Sequence, residues 1–99
     1  MIGPTEQEVL DLVAEYNSLK ARRGDLLLDF QWFQLQYPNG VGVNEHIEVM
    51  AINPGRKTMK FRVQALMSDI QLSAQIIDQR LPILEKMLFD AGVAIDYQP

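Results

Sequence analysis

Asp25-Leu26-Leu27-Leu28-Asp29-Phe30-Gln31-Trp32-Phe33-Gln34-Leu35-Gln36-Tyr37 carries apolar side chains at both odd and even positions, and its conformation decides the architecture of the chain. Leu28, Phe30 and Trp32 alternate with Asp29 and Gln31, as a half-buried strand requires. Phe33, Leu35 and Tyr37 then alternate with Gln34 and Gln36 on the opposite parity, so a strand here changes faces between Trp32 and Phe33. A β-bulge is the simplest device that does this. Leu26, Phe30 and Phe33 also fit helical spacing, which leaves a helix as the competing reading of the same residues.

On the N-terminal side, Thr5-Glu6-Gln7-Glu8 is a capping box, in which the Thr5 hydroxyl and the Glu8 carboxylate satisfy early backbone donors. Val9, Leu12, Val13, Tyr16 and Leu19 follow at spacings of three and four, and Gly24 is placed to close the helix in a left-handed turn. Lys20, Arg22 and Arg23 form the only dense basic cluster, read as cations complementing the negative end of that helix.

On the C-terminal side, Pro38-Asn39-Gly40 breaks the segment, and residues 41–44 read as a loop. Residues 45–52 and 57–66 then flank Asn53-Pro54-Gly55-Arg56, a turn whose proline presets one φ and whose glycine supplies a positive one. This is a β-hairpin. Met59, Phe61, Val63 and Ala65 alternate with polar residues, and pairing Phe61 with Val49 and Val63 with Ile47 sets Glu48 opposite Arg62. That parity calls for an odd-length loop or a bulge near Gly55.

Ser68-Asp69-Ile70-Gln71 is a second capping-box pattern, and Ile70, Ala74, Ile77, Leu81, Leu84 and Leu88 step by four and three toward Ala91. Pro82 lacks a backbone donor and crowds the Asp78 carbonyl, which predicts a kink or a division there. Ile70, Leu72, Ala74 and Ile76 also alternate with polar residues, so a strand over 70–76 competes with the helix. Gly92 caps this helix, and Val93, Ile95 and Tyr97 alternate as a short final strand.

The expected fold is a single α+β domain over residues 1–99. It is a small, mainly antiparallel sheet of three or four strands, made of the hairpin 45–66 with strands near 26–37 and 93–97. Its apolar face is covered by helices at 6–22 and 69–91. Hydrophobic residues at 47% and charged residues at 22% of 99 suffice for one core and not for two.

Composition also bounds function. A net charge of -4 argues against a nucleic-acid partner, because phosphate binding draws on clustered Lys and Arg. The absence of cysteine removes thiolate nucleophiles, thiolate metal sites and disulfides together. No stretch nears the roughly 18 apolar residues of a membrane span, and nothing near the start reads as a secretion signal, so a cytoplasmic protein without membrane insertion is expected.

His46 is the only histidine and falls on the polar side of its strand beside Glu48, which suits a solvated imidazole. Gly40-Val41-Gly42 lacks the lysine, the further glycine and the following helix of a phosphate cradle. A carboxylate pair such as Asp25 and Asp29 could act as acid and base, though scattered surface acids are the ordinary case. The chain therefore reads as non-catalytic, with no cofactor, no metal site and no small-molecule substrate.

Leu81-Pro82 followed by Leu84, Leu88 and Gly92, with Tyr37-Pro38 and Gly42-Val43 ahead of the hairpin, resembles the C-terminal domain of flagellar hook-length control proteins and their type III secretion needle-length relatives. Val41 stands where that family has leucine. The resemblance implies a secretion-apparatus protein that contacts the export gate's cytoplasmic domain and switches substrate specificity.

Independently of it, residues 26–37 hold more apolar side chains than one sheet face buries, and Ile76, Ile83 and Met87 lie outside the main stripe of the last helix. Apolar surface left over marks an interface. The expected function is protein interaction or self-assembly through Trp32, Phe33, Leu35, Ile83 and Met87, with a structural subunit of a phage or secretion particle as the alternative.

Overall fold

A computed structural model describes residues 4–50 and 58–95, in the order α1 (Glu6–Gln36), β1 (His46–Met50), β2 (Thr58–Arg62) and α2 (Val63–Asp90). The molecule is α+β, with a β-hairpin between two helices as expected. α1 runs well beyond the expected 6–22, α2 begins six residues before the expected 69, and the two pack antiparallel on each other.

The decisive segment is helical. α1 passes through Gly24 and ends only at Gln36, so neither the strand near 26–37 nor the helix end at Gly24 forms. The reason lies in a longer period: Val9, Leu12, Tyr16, Leu19, Arg23, Leu26, Phe30, Phe33 and Tyr37 recur at alternating intervals of three and four, and none of them is exposed. That is the seam of a helix packed along its whole length on another helix. Gly24 sits outside the seam, where its weak helix propensity of about 1 kcal/mol relative to alanine is outweighed by the packing of the turns on either side. Lys20, Arg22 and Arg23 therefore lie mid-helix, and the last turn holds no basic residue. The helix opens on Thr5, whose hydroxyl accepts from the Glu8 N–H at 3.2 Å. It stops because Pro38 disfavours helical backbone at Tyr37, which sits at φ -127° and ψ 64°.

α2 starts directly from β2. Residues 63–66, expected to extend the strand, form its first turn, and residues 70–76 are helical. The Val63 N–H donates to the Glu45 carbonyl at 3.0 Å, and the Val63 side chain is fully buried. Val63, Met67, Ile70, Ala74, Ile77, Leu81, Leu84, Leu88 and Ala91 recur at four and three, again with none exposed. Pro82 lies on the outer side, and the helix runs through it without dividing. Gly92 closes it at φ 81°, with Gly92 N–H on Phe89 O and Val93 N–H on Leu88 O at 3.0 and 2.9 Å. This pair of bonds is the Schellman arrangement.

β1 and β2 pair with Ile47 opposite Phe61, Glu48 opposite Lys60 and Met50 opposite Thr58. The parity is the expected one, with an odd number of residues between the strands, but the register is displaced by two. Glu48 faces Lys60 rather than Arg62, because Val63 has left the sheet for the helix. A bulge near Gly55 would lie outside the described residues. Among the described residues the sheet has two strands, not three or four. Val93 to Ile95 form no strand; Val93 and Ile95 pack instead on the cluster of Tyr16, Leu84 and Leu88, and Tyr97 lies outside the described residues.

The radius of gyration is 18.5 Å, against about 13 Å for a compact domain of this length. Of the extents 57 × 35 × 17 Å, the smallest is about half the next, the shape of two helices lying side by side. The helices form one layer and cover each other, not the sheet.

Candidate functional site

A helix in a single layer buries one stripe and leaves the rest in water. On α2 the outer side carries Leu72, Ile76 and Ile83, and Met87 follows on the flank where it lines a groove with Leu12 and Glu15 of α1; the four are 57, 67, 52 and 43% exposed. At 3.6 residues per turn these four fall within a sector of about 60°. Asp69 and Asp90 bound the stripe, and Gln79 and Arg80 occupy its middle. α1 adds Leu28, Trp32 and Leu35, four and three residues apart, all exposed. Trp32 meets the Phe33 ring edge to face, with centroids 5.1 Å apart, and borders a groove with Asp29, Leu66 and Ile70.

Of the residues expected at an interface, Trp32, Leu35, Ile83 and Met87 are exposed, whereas Phe33 is only 6% exposed and belongs to the seam between the helices. The two groups do not converge. Trp32 lies beside Leu66 and Ile70 near the hairpin, while Ile83 is 13 residues farther along α2 than Ile70, about 20 Å at 1.5 Å per residue. Leu72 and Ile76 fill that interval, so the continuous surface is the α2 stripe. Sequence reasoning noted Ile76 outside the main stripe but passed over Leu72. The signal was its spacing from Ile76, which repeats that of Ile83 from Met87.

The polar groups around the stripe hold the helix pair together. Arg80 donates from Nε and Nη2 to Glu15 at 2.8 and 3.0 Å, and Arg23 donates likewise to Asp78 at 2.9 and 3.3 Å. The Arg80 hydrogen bond holds the Glu15 carboxyl below its ordinary value, against an opposing desolvation, and Arg80 and Arg23 are raised in turn by bonding to their carboxylates. Two-point contacts of this kind fix the axial register of α1 on α2. The Tyr16 hydroxyl donates to Glu85 at 3.4 Å, and the Lys20 ammonium stands 5.2 Å from the Tyr16 ring centroid.

Residues suited to chemistry are not gathered. Asp25 and Asp29 are both exposed, one turn apart on α1. His46 is exposed at the start of β1, its Nδ1 2.6 Å from the Asn44 carbonyl. Among the described residues no group of three or more His, Asp or Glu side chains is placed to hold a metal ion, and no helix is long and apolar enough to cross a membrane. Comparison of the chain with protein families, curated proteins and solved structures finds no match.

Proposed function

We propose that this protein is a non-catalytic interaction or self-assembly domain that binds protein through the outer face of its helix pair. One observation carries the reading. The chain exposes 7774 Å², against roughly 5700 Å² for a compact monomer of 11.3 kDa, an excess of about 2000 Å². A stable protein interface takes about 800 Å² from each partner, so the excess is large enough to be closed by association. Its apolar part is organised, running down α2 from Leu72 to Met87 and, on α1, from Leu28 to Leu35. Isolated exposed leucines need no explanation, but a stripe at helical spacing does.

The reading keeps the cytoplasmic setting expected from the sequence and involves no cofactor. A role as a secretion specificity switch has less support, because the element order behind that resemblance had a strand where α1 continues.

Sedimentation over a range of concentrations, with affinity capture from the native host, tests the proposal. The expected result is self-association or a captured protein whose binding is lost in an Ile76→Glu, Ile83→Glu variant of unchanged helicity. A strictly monomeric chain that captures nothing would remove it.

A further inference from the structure

We infer that the α2 stripe is the contact for a second copy of this chain, docked antiparallel about a two-fold axis that passes between Gln79 and Arg80. The inference rests on the interaction reading above and names its partner. The stripe is symmetric: Leu72 and Ile76 are separated by four residues, Ile76 and Ile83 by seven, and Ile83 and Met87 by four. Its boundaries share the symmetry, with Asp69 three residues before Leu72 and Asp90 three after Met87. Turned end for end, the pattern superimposes on itself in spacing, with Ile76 falling on Ile83, Asp69 on Asp90 and Leu72 on the equally apolar Met87.

A two-fold contact requires a patch that complements its own copy. In the antiparallel register Leu72 meets Met87 of the second copy and Ile76 meets Ile83, so each exposed apolar side chain faces another. Gln79 meets its own equivalent near the axis, where two amides can exchange hydrogen bonds. Arg80 also approaches its equivalent there, but each guanidinium is already bonded twice to Glu15, so the centre holds two cations and two carboxylates. At the rim the register sets Asp69 of one copy opposite Asp90 of the other, and Lys86 of that second copy, bonded to its own Asp90 at 3.0 Å, lies about one helical turn along the axis from Asp69. The ammonium then stands between two carboxylates.

The area is consistent with this occupant. Stacking two single-layer hairpins makes a second layer, which a domain core ordinarily requires, and draws on the excess surface of both copies.

The cysteine-free chain makes the geometry readable by disulfide formation. Leu72→Cys chains mixed with Met87→Cys chains, and Ile76→Cys with Ile83→Cys, are expected to cross-link as mixed dimers under mild oxidation, and Gln79→Cys with itself. Leu72→Cys alone is expected not to, since its two copies stand about 22 Å apart along the axis, beyond disulfide reach. Ile76→Ser with Ile83→Ser, checked for native helicity by circular dichroism, should weaken self-association roughly tenfold or more. Cross-linking of Leu72→Cys with itself, or dimerisation undiminished in the serine variant, overturns the inference. A monomer that binds a different protein through this stripe also overturns it while leaving the interaction reading intact; a monomer that binds nothing removes both.

Discussion

At the scale of single residues, Gly24 is the position where local propensity and packing disagree. Glycine is the poorest helix former after proline, yet here it lies inside a helix of 31 residues. A Cβ built on it meets nothing within 4 Å, and it is not among the glycines of positive φ. Gly24→Ala should therefore stabilise the fold by about 1 kcal/mol, raising the thermal midpoint by roughly 4–8 °C for a chain of this size. Gly92 looks similar in sequence and is opposite in kind, since its φ of 81° is a backbone region that alanine enters only under strain. A thermal melt of Gly92→Ala should move downward. Both glycines invite the same reading as helix caps, and only Gly92 is one.

At the scale of elements, each helix carries one interruption that packing overrides. In α2 it is Pro82, which leaves the Asp78 carbonyl without its usual helical donor. Because residue 82 is exposed, Pro82→Ala should restore that bond without disturbing the seam and stabilise by about 1–3 kcal/mol, read as a shift in the urea midpoint. The two helices are also tied by Glu15 and Arg80, and this tie has a pH signature. The Glu15 pKa is lowered from 4.5 in the fold, so between the two values the unfolded chain binds more protons than the folded one and stability rises with pH. The contribution is complete above 4.5 and is lost as pH falls through the lowered value. Urea midpoints measured on acidification should fall less steeply in Glu15→Gln than in the natural chain.

At the scale of the whole molecule, thinness governs behaviour. The molecule is 57 Å long and is held together along one helix seam, so the association proposed above would contribute to stability as well as to function. If α2 docks on its copy, the denaturation midpoint will rise with protein concentration, as it does when dissociation accompanies unfolding. An unchanged midpoint across a hundredfold range of concentration would count against a dimer that matters to the fold.

What the sequence by itself determined were the local devices: the Thr5 cap, the break at Pro38, the hairpin and its parity, and the close of α2 at Gly92. Each depends on neighbours within a few residues, so each is written where it acts. The conformation of residues 26–37 was not of this kind. Their apolar side chains satisfy period two with a bulge and period 3.6 without one, and the glycine ahead of them argued for a stop. Tertiary structure decided it, because only a partner helix presenting a seam of equal length, from Val63 to Ala91, rewards carrying the three-and-four spacing through Gly24 to Tyr37. The same choice settled the site. With the segment helical, Phe33 turned inward to the seam while Trp32 and Leu35 stayed outside, and the apolar surface that a wrapped sheet would have covered was left along α2.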